Sequence, residues 1–459
     1  MKPGRAEKAG TTGASAPAAP APDAPAPKAA PRDPAPARFR LRDPDTVVDR
    51  YLIPLALFVA AFLVFAFVNH GRPANLNYFV PLADAFLHGR LGLTSAPSWL
   101  NELVPSGTGL YYVVYPPAPT VLVLPFVIVF GPEVNQAWPS ILFGALGIAV
   151  ASVVIRYTGV DRRTRIILAA TVAFGTIAWF SAQAGSSWHF AHVAATLFML
   201  TAIVLAQKDA RPALIGLAFA AAAMSRLPVA MAAPFFIAYF IDRDIRESTG
   251  DRTPFGWLGQ DRPRIWNTRP DLRSTFLLAL PALVEVGVIL ILYGIYNAAR
   301  FGSPFENGYA LIPGLLQENQ YEHGFFAILN IPRILFAMLL SVPEQVAGFP
   351  WIQSRKLGGL SILLTTPLFL WAIKARRPDW FGIGAWVSIG LILVPILTHS
   401  DPGGAQFGFR YAQDLYPLLL LLVIRGLRGR ISFEAWIAIG IGWVINIWGM
   451  ASTYADWWK

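Results

Sequence analysis

The chain has 459 residues, of which 55% are hydrophobic and 14% are charged, and it carries a formal net charge of +10. Its mean hydropathy of +0.49 exceeds what a soluble domain of this size can use, and its Lys and Arg residues stand in short clusters between apolar runs rather than along one face. These features exclude a nucleic-acid-binding protein, and the absence of Cys excludes a disulfide framework, a thiolate metal site and a Cys nucleophile.

The first 38 residues form an Ala/Pro-rich tail. From Met1 to Arg38 the chain is almost entirely Ala, Pro, Lys, Asp and Gly, which cannot bury apolar surface, so we expect a separate disordered segment. The tail lacks the apolar centre of a signal peptide, and Tyr51–Asn69 is therefore expected to be an uncleaved first span. The basic stretch ending at Arg50 predicts a cytoplasmic N-terminus.

Basic clusters indicate which apolar runs cross the membrane. They are Arg156 to Arg165, Lys208 to Arg211, Asp242 to Arg273, Lys374 to Arg377 and Arg425 to Arg430. If all five are cytoplasmic, Pro117–Phe130 and Ile331–Leu340 cannot also cross, because the runs that follow them must return from outside. Both are expected to lie in or dip into the outer leaflet.

The other apolar runs predict about eleven crossings, measured against the roughly 20 residues that a span needs. They are Tyr51–Asn69, Ala137–Ile155, Arg165–Ala182, His189–Ala206, Ala213–Met224, Pro228–Ile241, Thr275–Asn297, Leu357–Ile373, Trp380–Thr398, Tyr411–Ile424 and Ser432–Ala451. Two of these, Ala213–Met224 and Pro228–Ile241, are short enough to form a tilted or half-membrane hairpin. The predicted fold is an all-α polytopic domain over residues 39–459 in the plasma membrane, with its C-terminus outside.

Because successive crossings end on alternate sides of the membrane, these spans predict two large extracytoplasmic loops, residues 70–136 and 298–356, and a charged cytoplasmic loop at 242–274. The outer loops contain amphipathic stretches such as Phe79–Leu87, which we expect to form in-plane helices. Most of the dense polar clusters also fall in outer loops. We therefore expect the chemistry on that face.

Two acids of the first outer loop, Asp84 and Glu102, are candidate catalytic residues. A carboxylate at a membrane interface can act as a general base on an acceptor hydroxyl, because partial desolvation raises its pKa into the useful range. The alternative for each is a solvated loop acid or a helix cap.

Two further motifs offer phosphate-binding side chains. WHFAH places His189 and His192 three residues apart, hence on one helical face, where they could bind a metal, steer a phosphate or form an interfacial hydrogen-bonded pair. No Asp, Glu or Cys is near them in sequence, so no metal site is predicted. Arg226, in MSRLP, lies at the outer or mid-membrane turn of the short hairpin, where it meets a lipid phosphate or snorkels to the interface.

The remaining candidates follow two later spans. YNAARFGSPFENGY carries Arg300, and DPGGAQFGFRYAQDLYP carries Gln406, Arg410, Tyr411 and Asp414. Arg410 offers a bidentate fork for a phosphate, and the nearby glycines permit close backbone approach. Asp414 stands one helical turn beyond Arg410 and is expected to hold that guanidinium in place.

Together these features resemble the GT-C superfamily of integral membrane glycosyltransferases. The similarity is to the branch with protein O-mannosyltransferases and the lipid A aminoarabinose transferase, glycosyltransferase family 39. It comprises a first span, a large outer loop with in-plane helices and a Pro-Pro element (YPPAP, Tyr115 to Pro119), about eleven to thirteen crossings and a second outer loop after the seventh. RFGSPFENGY and QFGFRYAQDLYP are similar to segments of bacterial members.

The resemblance implies a polyprenyl-phosphate sugar as donor, a glycan, lipid or protein as acceptor, and inversion by direct displacement without a cofactor. It also implies an acidic base in the first outer loop, but the family's acidic pair would fall at Asn75 to Asn77, where this chain reads ANLNY. The role then passes to Glu102 or Asp84, and Glu102 is favoured because it leads towards the Pro-Pro element. The phosphate would be held by Arg410, Arg300 and Arg226.

Two other functions remain open from the sequence. A transporter or flippase of lipid-linked or small solutes would carry polar or broken helices in paired halves, whereas no internal repeat is evident here. A non-catalytic assembly subunit with the same fold would explain the missing acidic pair. No Walker loop, GxGxxG, HExxH or GxSxG motif occurs, so a lipid-borne substrate is favoured over a nucleotide.

Overall fold

The computed structural model describes residues 46–258, 262–348, 351–404 and 406–454. All of them belong to the unit Phe39–Lys459. The predicted disordered tail, residues 1–38, and the last five residues of the chain lie outside the described residues. The tail's disorder therefore stays a prediction.

The described chain is mainly α-helical, with two small antiparallel hairpins and short 3-10 turns between the helices. The helices are α1 (Ile53–Asn69), α2 (Phe79–Leu87), α3 (Ala118–Phe130), α4 (Ala137–Arg156), α5 (Arg162–Phe174), α6 (Ala178–Ala184), α7 (Ser187–Gln207), α8 (Pro212–Ala223), α9 (Ala233–Thr249), α10 (Leu272–Phe301), α11 (Ile331–Leu339), α12 (Ile362–Thr365), α13 (Trp380–Thr398), α14 (Tyr416–Gly426) and α15 (Phe433–Tyr454). The hairpins pair β1 (Leu103–Pro105) with β2 (Tyr111–Val113) and β3 (Glu344–Gln345) with β4 (Ile352–Gln353).

Within the described part of the chain, six helices are long and apolar enough to cross a bilayer. They are α1 with the turn before it, α4, α7, α10, α13 and α15. The pair α5 and α6 makes a seventh candidate, bent by 48°, where a single span, Arg165–Ala182, was predicted. These helices confirm the predicted all-α polytopic membrane fold.

Four predicted crossings are shorter or interrupted. Ala213–Met224 corresponds to the 12-residue α8, Pro228–Ile241 begins as a 3-10 turn, and Leu357–Ile373 and Tyr411–Ile424 are each divided into two helical pieces. Three of the later pieces carry a proline in their first turn: Pro234 in α9, Pro367 in the turn after α12 and Pro417 in α14. Proline has no N–H to donate to the carbonyl four residues earlier, so it fits the first turn of a new α-helix but not the interior of a continuous one.

Helices also extend into segments that were predicted as loops. α9 continues to Thr249, inside the predicted 242–274 loop, and α10 continues to Phe301, so that Arg300 is helical. Ion pairs four residues apart, such as Arg246 Nε to Asp242 Oδ2 at 2.8 Å, support the polar end of α9. A hydropathy pattern cannot locate such helix ends, because their polar side chains give the same signal as a loop.

The chain between α1 and α4 contains α2, the first hairpin and α3. α2 has the predicted bounds of the amphipathic stretch, and it packs against α3. α3 has 13 residues and α11 has nine, both below the roughly 20 needed to span hydrocarbon. Their lengths agree with in-plane segments, whereas the side of the membrane on which they lie stays a prediction.

α7 is the central helix of the bundle. It packs against α4 and α8. In its most apolar 18-residue stretch 72% of the residues are buried, compared with 11% in α10, whose surface faces outward over most of its length. The N-terminal end of α7 carries Trp188, His189 and His192, so these side chains enter the interior of the fold.

Candidate functional site

A cavity of about 360 Å³ lies where the start of α7 meets the segments after α2, α8, α10 and α13. This volume is within the range of small-molecule sites, roughly 300–1,000 Å³. Its polar lining residues are Glu102, Tyr115, Ser187, Trp188, Ser225, Arg226, Asn307, Tyr309, Tyr321, His399, Asp401, Arg410 and Tyr411. The cavity therefore combines carboxylates, cations and aromatic rings.

Part of the lining is apolar, and some of it comes from a candidate span. Leu227, Pro228 and Met231 come from the 3-10 turn between α8 and α9, and Pro395 and Ile396 come from the last turns of α13, a candidate span. The cavity can thus accept a molecule with both a charged and a hydrocarbon part.

Glu102 lies just before β1, and its backbone N–H donates to the Tyr78 hydroxyl at 3.0 Å. One carboxylate oxygen, Oε2, accepts from the indole N–H of Trp188 at 2.8 Å. Burial raises the pKa of Glu102 to about 7, against the lowering effects of the Trp188 hydrogen bond and the Arg410 charge. A carboxylate with this pKa is matched to accepting a proton at neutral pH.

Arg410 is held by neutral groups. Its Nη1 donates to the Gly404 carbonyl at 2.6 Å and to Gln406 Oε1 at 3.2 Å, and its Nη2 donates to the Tyr411 hydroxyl at 3.3 Å. Gly403 has φ +90, and a Cβ there would lie 3.1 Å from Arg410 Nη1, so this turn requires glycine. Among the described residues no carboxylate forms an ion pair with Arg410, which leaves its charge available to an anion in the cavity.

Arg226 has a carboxylate partner. Its Nη2 lies 3.2 Å from Asp414 Oδ2, and Asp414 Oδ1 also meets His192 Nδ1 at 2.7 Å. Asp414 and His192 are fully buried, whereas the Arg226 side chain is 21% exposed at the cavity.

The prediction that Asp414 holds Arg410 is therefore wrong. Residues Arg410–Leu415 form a 3-10 turn of three residues per turn, so a residue four positions on does not share a face with the first.

Tyr411 lies between the two cations. The guanidinium carbon of Arg226 is 5.5 Å from the centre of its ring, and that of Arg410 is 4.9 Å away. Cation–π attraction holds both guanidinium groups at this ring. The two arginines are thereby brought to one side of the cavity although they are far apart in sequence.

The structure does not bring every predicted site residue into the cavity. Asp84 pairs with Arg90 at 3.4 Å on another surface. Arg300 donates to the Val113 carbonyl and to Asn297 Oδ1, tying the end of α10 to β2. His189 is buried against Ser186 Oγ at 2.7 Å.

Of the predicted residues, Glu102, Arg226, Arg410 and Tyr411 line the cavity. Gln406 and His192 lie behind them, where they contact Arg410 and Asp414. Among residues 46–258, 262–348, 351–404 and 406–454, no group of three or more His, Asp or Glu side chains has the arrangement of a metal site.

Sequence reasoning missed several lining residues, above all Trp188, His399, Asp401 and Tyr321. Trp188 adjoins the predicted His189, and the helical face that carries the two histidines is not the one that reaches the cavity. At the position of the absent acidic pair, Asn77 Oδ1 accepts from the Val80 N–H at 3.2 Å. This side chain thus supports the first turn of α2.

Replacing Asp414 by Ala should strongly destabilise the protein. The change leaves Arg226 without its buried counter-charge, and breaking one side of such a pair costs about 3–5 kcal/mol. Thermal unfolding in detergent measures the loss. Asp84→Asn is the matched control, because its partly exposed pair contributes about 0–1 kcal/mol. Equal losses in the two variants would contradict the role assigned to Asp414.

Comparison with known proteins includes a similar solved structure. No family model matches the chain, and no curated protein sequence matches it. The chain is similar to the crystal structure of ArnT from Cupriavidus metallidurans bound to undecaprenyl phosphate, with 16% sequence identity and a TM-score of 0.49. The match covers 88% of this chain and 63% of that one, so the chain spans less than two thirds of the length of that structure.

Proposed function

We propose that this multi-pass membrane protein is an inverting glycosyltransferase of the GT-C type. It transfers a sugar from a polyprenyl-phosphate donor to a hydroxyl of a glycan, lipid or protein acceptor at the extracytoplasmic face. Glu102 is the general base, and Arg410, with Arg226, binds the donor phosphate.

The observation that carries the proposal is a base and an anion site joined by one side chain. The Trp188 indole N–H bonds Glu102 Oε2, and the guanidinium carbon of Arg410 lies 5.0 Å from the Trp188 ring centre. A sugar phosphate bound to Arg410 would therefore have its anomeric carbon in the same cavity as the Glu102 carboxylate. Direct displacement needs the base and the phosphate site close to one reacting carbon.

The reaction requires one proton transfer and one displacement. Glu102 takes the proton of the acceptor hydroxyl while that oxygen bonds to the anomeric carbon. The bond from the anomeric carbon to the phosphate oxygen breaks, and its electron pair leaves with the polyprenyl phosphate. Arg410 stabilises the charge that develops on that phosphate. Attack opposite to the leaving group inverts the configuration, without a covalent enzyme intermediate.

The lipid part of the donor has its own surface. The apolar lining consists of Leu227, Pro228 and Met231 from the turn after α8 and of Pro395 and Ile396 from α13, a candidate span, and Met231 is 45% exposed. These side chains favour an isoprenoid chain over a free nucleotide sugar, whose leaving group would meet hydrocarbon here.

The test is an assay of the purified full chain in nanodiscs with polyprenyl-phosphate mannose, arabinose and glucose. We expect wild type to release polyprenyl phosphate from at least one donor, with transfer or slow hydrolysis of the sugar. Asp84→Asn should retain this activity, because Asp84 lies outside the cavity. If none of the donors reacts while the protein moves a lipid-linked solute across vesicles, the chain is a transporter and the proposal fails.

A further inference from the structure

Trp188 has two polar contacts through a single indole N–H. Its Nε1 lies 2.8 Å from Glu102 Oε2 and 2.6 Å from the Tyr115 hydroxyl oxygen. The indole nitrogen can only donate, so the two acceptors share one hydrogen. The shorter contact is to Tyr115, which means that Glu102 receives only part of the available hydrogen bond.

The ring of the same side chain contacts a cation. The guanidinium carbon of Arg410 lies 5.0 Å from the Trp188 ring centre, within the range of a cation–π contact. Trp188 itself is fixed at the start of α7, the central helix, directly after Ser187, whose Oγ accepts from the Tyr78 N–H at 2.9 Å. The ring therefore stands on a rigid support between the acid and the cation.

We propose that Trp188 is a positioning residue that orients the Glu102 carboxylate through its N–H and seats Arg410 on its ring. This inference rests on the proposed function, in which these two groups are the base and the phosphate-binding cation. Trp188 would then keep the base and the leaving group at a fixed separation, and Tyr115 would weaken its hold on Glu102 by competing for the same hydrogen.

The shared hydrogen gives two substitutions with opposite effects. A donor N–H favours the ionised carboxylate, so Trp188→Phe should raise the pKa of Glu102 by about one pH unit, from about 7 towards 8. Tyr115→Phe keeps the ring but removes the competing oxygen, so the whole hydrogen bond passes to Glu102 and the pKa should fall, by less than one pH unit. A general loosening of the site would move both variants in the same direction.

The measurement is the pH titration of the Glu102 carboxyl by infrared difference spectroscopy on the full chain in nanodiscs. The relevant C=O band is the one that disappears in Glu102→Gln. We expect its midpoint to move up in Trp188→Phe and down in Tyr115→Phe. An unchanged midpoint in Trp188→Phe, or the same direction in both variants, overturns the inference. This titration needs no sugar donor, so it tests the contact between Trp188 and Glu102 even if the proposed function is wrong.

Catalysis gives the second readout. At pH 7, Trp188→Phe should lower kcat about fivefold, because a pKa near 8 leaves only about a tenth of Glu102 ionised, and the deficit should vanish near pH 9. The donor KM should stay close to wild type in Trp188→Phe, which keeps an aromatic ring under Arg410, and rise in Trp188→Leu, which does not. A deficit that persists at all pH values would make Trp188 merely structural.

Discussion

Replacing Glu102 by Gln is expected to lower the transfer rate by about 10²–10⁴, the usual contribution of general acid–base catalysis. Gln is nearly isosteric with Glu and can still accept from the Trp188 N–H, so the cavity should keep its shape while losing the proton acceptor. Single-turnover transfer from the donor identified in nanodiscs measures the loss. Donor binding should change little, because phosphate recognition rests on the arginines.

The pH dependence of the reaction tests independently whether Glu102 is the base. Burial raises the pKa of Glu102 to about 7, and only the ionised form can take a proton, so kcat/KM should rise with pH through about 7 and then level off. The profile of Glu102→Gln should be flat in this range. Asp84→Asn is the matched control and should retain the wild-type profile, because Asp84 pairs with Arg90 outside the cavity. Full activity in Glu102→Gln would show that another group is the base.

Replacing Arg410 by Ala is expected to produce the second large effect, a fall in kcat of about 10²–10³, as for the loss of one donor to a developing oxyanion. Its charge has no carboxylate partner among the described residues, so it is available to the leaving phosphate. Arg410→Lys should recover only part of the rate, because Lys keeps the charge but lacks the planar fork. The inhibition constant of polyprenyl phosphate should rise in parallel.

Two other arginines provide comparisons for this result, and Arg300 is the matched control. Arg226→Gln should have a smaller effect on phosphate affinity, since Asp414 already compensates the charge of Arg226. Arg300→Gln should leave the kinetics close to wild type, because Arg300 binds the Val113 carbonyl and does not line the cavity. If Arg300→Gln weakens phosphate binding as much as Arg410→Ala, the assignment of the anion site is incorrect.

The residues predicted from the sequence were partly brought together. Glu102 and Arg410 were selected for their loop positions and chemistry, and both line one cavity. Asp84 and Arg300 met the same criteria and lie elsewhere, because an acid or a cation in a loop reads the same whether it faces a cavity, a neighbouring side chain or a backbone carbonyl. Trp188 carried no sequence signal of its own.

The sequence by itself determined the class of the protein. Apolar runs and basic clusters act through the local chain, so they predicted a helical polytopic membrane protein and the short helices α3 and α11. They also marked Ala213–Met224 and Pro228–Ile241 as short, but they missed the bend between α5 and α6. These properties depend on each segment's own contact with bilayer or water.

Only the tertiary structure decided which side chains of the site contact one another. Asp414 stands four residues from Arg410 and yet binds Arg226 and His192, because its backbone is a 3-10 turn and α7 and the turn after α8 pack against it. The indole of Trp188 reaches Glu102 from a helix that begins 85 residues later, at Ser187. Contacts of this kind depend on how distant segments pack, and local sequence patterns do not encode them.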